Sequence, residues 1–204
     1  MCYYHIMTPG IEKAWEELRG LKPADVEKRC LVRYEGGAYV VKSLGMEFAI
    51  YPEDEKVGGV SQEAEGVVRR YGYFLNHSAL WYLVMAKDIP LTGRYVKPQS
   101  LRGGEIFFRG SHVLPLEGLA RRYAGDKEGF LGRAQALGGS PLEAFGDAAA
   151  EVFPLPRLPV TLILWLGDEE FPPRADLLLD SSCELQLPLD IIWSAAMLSV
   201  LPML

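Results

Sequence analysis

Hydrophobic and polar positions follow two different periods along this chain. IEKAWEELRGL sets Ile11, Ala14, Trp15 and Leu18 at three- and four-residue spacing, which predicts an amphipathic helix stopping at Gly20. A shorter helix is expected from Pro23, because proline suits a first helical turn. The pattern then changes. LVRYEGGAYVVKSLGMEFAIYPEDEKV holds three strand-like runs separated by Gly36-Gly37 and by Ser43 to Gly45, an antiparallel meander that YPEDEK closes as a solvated turn. VSQEAEGVVRRYG fits neither period. FLNHSALWYLVMAKD carries Phe74, Leu75, Leu80, Trp81, Val84 and Met85 and reads as a substantially buried helix, with His77 inside it as a hydrogen-bonded residue rather than a ligand.

The second half continues with a loop-rich stretch, PLTGRYVKPQSLRGGEIFFRGSHVLP, in which EIFFRG is expected as a strand. LEGLARRYAG and DKEGFLGRAQALGG read as helices ended by glycine. AAAEVFPLPRLPVTLILWL and RADLLLD read as strands flanking GDEEFPP, and a C-terminal helix opens at Pro188. Leu162, Leu164 and Leu166 fall on one face of a strand and Ile163 and Trp165 on the other. Both faces are apolar, so that strand is expected at the centre of a sheet with helices over part of its second side. The fold class expected is α+β: an antiparallel or mixed sheet packed with helices, including a buried C-terminal helix, in one domain spanning residues 1–204.

Composition narrows the function classes. The chain has 204 residues, enough for one substantial core, and no Pro-rich or Ser/Gly-rich linker divides it. A net charge of −6 with dispersed acids offers no basic stripe for phosphates, so nucleic acid is not an expected partner. VTLILWL and IIWSAAMLSVLPML are shorter than the ~20 apolar residues of a membrane span, and MCYYHIMTPG lacks the plan of a secretory signal. A cytoplasmic protein without a membrane partner is expected. Cys2, Cys30 and Cys183 are too far apart for a disulfide framework or a metal site by spacing, and Cys2 with His5 has nothing nearby to complete a ligand set. Walker A, GxSxG, HExxH and EF-hand patterns are all missing.

GEIFFRGSHVLPLEGLARRYAG, FLGRAQALGGSP, FGDAAAEVFPLPRLPVTLILWLGDEEFPPRADLLLDSS and LPLDIIW together resemble the domain-of-unknown-function 3786 family, LWLGDEEFPP most specifically. The resemblance reaches back through SALWYLVMAKDIPLTGRYV and, more weakly, AWEELRGLKPADVEKRC. It implies a cytoplasmic protein of anaerobic metabolism, some of whose relatives are joined to an iron–sulfur module like that of corrinoid iron–sulfur proteins. This chain departs from those fused relatives in lacking closely spaced cysteines, which would put any cluster on a redox or iron–sulfur partner protein.

Two segments are candidate sites. In RGSH, Arg109 can pair with an anion and His112 can ligate a metal or a tetrapyrrole centre or move a proton; alternatively Ser111 or His112 caps the following helix. In GDEEFPP, Asp168, Glu169 and Glu170, with Asp180 at the end of the next strand, are hard oxygen ligands for a divalent metal, on a loop stiffened by Pro172 and Pro173. The alternative is a solvated turn, with Asp180 capping a second turn through Ser181 and Ser182. Three functions remain open: a non-catalytic accessory module holding a cofactor, a corrinoid or another tetrapyrrole, and docking to a redox partner; a hydrolase assisted by a divalent metal and using His112, Asp168, Glu169, Glu170 and Asp180; and an interaction protein whose acidic loop meets a basic partner. Whether the protein is an enzyme stays undecided at this level.

Overall fold

The computed structural model describes residues 9–204. The first apolar stripe becomes α1 (Pro9–Arg19), which buries Ile11, Ala14, Trp15 and Leu18; α2 (Pro23–Cys30) begins at its proline. Four strands follow as a meander in sequence order, each antiparallel to the next: β1 (Arg33–Glu35), β2 (Ala38–Ser43), β3 (Met46–Tyr51) and β4 (Lys56–Gly59). β4 comes from the end of the polar YPEDEKV turn and so adds one strand to the three that alternation predicts. The stretch without a clear period joins the next helix to make α3 (Gln62–Met85), capped by Ser61, whose hydroxyl accepts from the Ala64 N–H at 3.1 Å. Two glycines and a Val-Val pair dilute its stripe, and the helix kinks at Tyr71 (φ −126°, ψ 18°), next to Gly72.

The remainder runs β5 (Tyr95–Val96), α4 (Leu116–Arg122), α5 (Lys127–Ala136), β6 (Ser140–Leu142), β7 (Ala148–Leu155), β8 (Leu158–Trp165), β9 (Arg174–Asp180), α6 (Cys183–Gln186) and α7 (Leu189–Val200). Its strands form a second antiparallel sheet in the order β5-β9-β8-β7-β6. The fold is therefore α+β, with a C-terminal helix packed on a sheet. One core of buried side chains runs from α1 to the end of α7 and includes Leu162 and Leu164 on the inner face of β8. β8 is central, as its apolar faces require. Its outer face differs from expectation: Ile163 clusters with Ala149 and Leu178 under Leu142 and Phe145, so the end of β6 and the β6–β7 turn cover this patch rather than a helix. A patch of three small and medium apolar side chains is narrow enough for one aromatic ring and one leucine to shield.

EIFFRG is not a strand. Residues 104–108 and 110–112 are short 3₁₀ turns, pinned by buried Leu101, Phe107 and Leu114. Gly104 explains why the chain coils here, since a Cβ on it would lie 1.8 Å from the carbonyl oxygen of Pro98. The two sheets meet where the Leu44 N–H donates to the Phe153 carbonyl at 2.7 Å, and Gly45 and Gly138 touch so closely that a Cβ on either would strike the other's backbone.

The helices are tied down by carbonyl acceptors. Arg29 donates to the carbonyls of Leu83 and Ala86 at the end of α3, and Arg157 donates to Arg29 O at 2.7 Å, Ile89 O at 3.1 Å and Asp88 at 2.6 Å. Guanidinium charge against the C-terminal end of a helix also complements its dipole. After α7 a 3₁₀ turn, Leu201–Met203, offers three consecutive carbonyls to three helices: Tyr71 of α3 donates to Leu201 at 3.3 Å, Arg133 of α5 to Pro202 at 2.8 Å, and Tyr123, just past α4, to Met203 at 2.8 Å. No helix among the described residues is long and apolar enough to cross a membrane.

Candidate functional site

The RGSH segment lies at the tip of a closed loop. The Leu114 N–H donates to the Phe107 carbonyl at 3.0 Å, and both side chains are buried, so residues 108–113 are held out from a fixed base. At that tip the His112 ring meets the Trp193 ring edge-on, with centroids 4.6 Å apart, and the Trp193 indole N–H donates to the His112 carbonyl at 2.6 Å. Nδ1 of His112 lies 3.2 Å from the Ser111 hydroxyl; among the described residues Nε2 has no hydrogen-bond partner. Ser111 therefore orients the imidazole rather than capping α4. Arg109, three residues earlier, is exposed.

Trp193 begins an arc of rings. Its indole packs edge-on against Phe74 at 5.6 Å, Phe74 against Tyr73 at 5.2 Å, and Tyr73 stacks on His77 at 5.8 Å with an interplanar angle of 25°. The arc closes on α7, where Nδ1 of His77 lies 2.7 Å from the hydroxyl of Ser194, the residue after Trp193. Helical spacing produces this geometry: residues 73, 74 and 77 share one face of α3, and α7 lies against that helix. Burial lowers the His77 pKa below its ordinary value, and nearby Asp190 only partly offsets this, so neutral imidazole is favoured. Two histidines thus flank an aromatic shelf, one half-buried and hydrogen-bonded, the other at its rim. Phe74 and Trp193 pack against the core and His77 is a hydrogen-bonded helix residue, as the sequence predicts; that these rings meet one another is not in the hydropathy pattern, and the spacing of residues 73, 74 and 77 is the available signal.

The carboxylates are arranged differently. Asp168, Glu169 and Glu170 are exposed at the tip of the β8–β9 hairpin. The Asp168 carboxylate folds back on its own loop, accepting from the Phe171 N–H at 2.7 Å and the Glu170 N–H at 2.8 Å, and these donors hold its pKa below the ordinary carboxylate value. Asp180 lies at the opposite end of β9, about 20 Å away along a seven-residue strand. There it is buried and accepts from the N–H and hydroxyl of both Thr92 and Ser182 and from the Gly93 N–H, at 2.6–3.1 Å. Burial raises its pKa, but the Ser182 and Thr92 donors outweigh that and hold it below the ordinary value. The structure therefore does not bring Asp180 to Asp168, Glu169 and Glu170. Among the described residues no group of three or more His, Cys, Asp or Glu is placed to hold a metal ion, and no hydrogen bond, ion pair or ring contact links His112 or Arg109 to the acidic loop. Cys2 and His5 lie outside the described residues.

Burial pushes the Cys30 thiol up to about 11 and the Cys183 thiol up to about 12, so neither is a ready thiolate. A cavity of about 270 Å³ near Lys42 and Phe153 lies at the junction of the sheets and shares no residue with the shelf. The shelf is accordingly a partly exposed surface of rings that mostly meet edge-on, with one imidazole nitrogen available at its rim.

The family model described as a domain of unknown function (DUF3786) matches residues 22–201. No curated protein and no solved structure matches the chain significantly.

Proposed function

The chain belongs to the DUF3786 family, and on that premise we propose that it is a cofactor-holding accessory module of anaerobic metabolism, working in the cytoplasm and presenting a tetrapyrrole, first of all a corrinoid, to a redox or iron–sulfur partner protein. The observation that carries this reading is the His112 loop: a pinned turn that holds an imidazole beside Trp193 with Nε2 unpartnered among the described residues.

The residues present fit such a group. A macrocycle would bring most of its metal's donors itself, so a single well-held histidine would suffice where a bare metal ion needs several side chains. His112 would be that ligand, Trp193 would meet the ring system, and Arg109 would pair with acidic side arms. The bound group would supply the redox or group-carrier chemistry. The protein's part is to fix the imidazole through Ser111 and the Trp193 hydrogen bond and to leave the outer side accessible to a partner. The carboxylates offer less, since Asp180 is already saturated with donors and Asp168 is turned inward on its own loop.

Anaerobic titration with hydroxocobalamin and with haemin, followed by visible spectroscopy, tests the proposal. The parent protein is expected to shift the spectrum of at least one of them saturably, and His112→Ala to weaken that binding by at least about tenfold while melting like the parent. Uptake of neither compound, or equal uptake with the same spectrum by His112→Ala, would overturn it.

A further inference from the structure

The β6–β7 turn and the first turns of α5 flank an open cavity of about 390 Å³ that shares no residue with the aromatic shelf. Its apolar lining includes Leu131 of α5 together with Leu142 and Phe145, the two residues that shield the outer face of the sheet. Three charged residues also line it: Lys127 from α5, and Glu143 and Asp147 from the turn. Among the described residues no ion pair joins Lys127 to either acid; all three are exposed, with the positive charge on α5 and the negative charges on the facing turn. Asp147 is held in place, with Oδ2 accepting from the Leu166 N–H at 2.8 Å and its own N–H donating to Leu164 O at 3.0 Å, while Oδ1 has no protein donor.

We infer that this cavity binds a free α-amino acid with an apolar side chain: the carboxylate pairs with Lys127, the ammonium with Glu143 and Asp147, and the side chain lies on Phe145 and Leu142. The separated charges select a zwitterion, since an anion or a cation alone would leave one side unmatched. The apolar lining selects the side chain, and the volume sits near the lower end of small-ligand pockets, which favours one residue over a peptide or a nucleotide. The inference stands apart from the shelf and does not depend on it.

Calorimetric titration with L-leucine and L-phenylalanine provides the test, with N-acetyl-L-leucine and L-leucine amide as forms lacking one charge each. Saturable binding of at least one free amino acid is expected, with both capped leucines weaker by about tenfold or more. Lys127→Met should weaken leucine but not leucine amide, and Glu143→Gln should weaken leucine but not N-acetyl-leucine. Both residues are exposed at the rim, so both variants should melt like the parent. Absence of saturable binding of either amino acid, capped forms binding as well as free leucine, or parent-like leucine binding in both variants would each overturn the inference.

Discussion

Asp180→Ala removes the acceptor that Thr92, Gly93 and Ser182 share. Hydrogen bonds to a charged group are worth about 1.5–3 kcal/mol each, but the five contacts will not sum. Thr92 and Gly93 are exposed, so water can replace the carboxylate there, and the Thr92 hydroxyl already has the Ser181 hydroxyl 2.8 Å away. Ser182 is different: it is 1 % exposed, and its N–H would be left buried without an acceptor. One stranded donor plus the lost charge-assisted contacts amounts to about 3 kcal/mol, or a fall in melting temperature of roughly 6–12 °C for a chain of this length. Urea denaturation across acid pH adds a check on sign. Because the folded-state pKa is depressed, the carboxylate's contribution is fully present above its unfolded value of about 3.9 and is lost as pH falls through the folded value. The gap between parent and variant should therefore narrow in acid. A variant melting within about 2 °C of the parent, or a gap that widens as pH falls, would refute the account of Asp180 as a fastening.

His77 has a depressed folded pKa too, so the parent should lose stability as pH falls from about 6.5 through the folded value, and His77→Asn should lack that component in denaturation curves taken over this range. In a Cys2→Ser background, Cys30 and Cys183 should stay unreactive toward a thiol reagent in native protein and react on unfolding. Gly104→Ala should destabilise by at least about 2 kcal/mol in urea melts, because its Cβ would meet the Pro98 carbonyl. Removing residues 188–204 should yield unfolded or insoluble protein: burial of Ile191, Ile192, Leu198 and Val200 is worth roughly 6–12 kcal/mol as an upper figure, comparable with the whole stability of a domain, and a soluble truncation with a cooperative melt would contradict this.

Periodicity made α1, the meander, the central strand β8 and the buried α7 legible, because in each case one residue spacing dominates. Where local signals compete, it failed. EIFFRG has the apolar content of a strand, yet the close approach of Gly104 to Pro98 coils it, a contact with no trace in the hydropathy pattern. At the candidate site, His112 could be singled out by residue type, but its contact with Trp193 spans 81 positions and the His77–Ser194 pair spans 117. Such tertiary partners follow from how α3 and α7 pack. Asp168 and Asp180 misled for the opposite reason: they are close in sequence, but the seven-residue strand between them holds them apart while each satisfies its own turn.

The 3₁₀ turn of residues 201–203 bears on how the protein is made. Its three carbonyls hold α3, the end of α4 and α5, yet it is synthesised 130 positions after Tyr71 and 69 after Arg133. On the ribosome, helices completed early must wait for a late segment before their common anchor exists, and α7, which fills the groove beside α3, arrives just as late. Nascent chains stalled before residue 188 would expose the apolar side of α3 and the inner face of the second sheet together, the kind of surface that recruits chaperones and aggregates when unattended. Yield in a cell would then depend on how quickly residues 201–203 follow the helices they join.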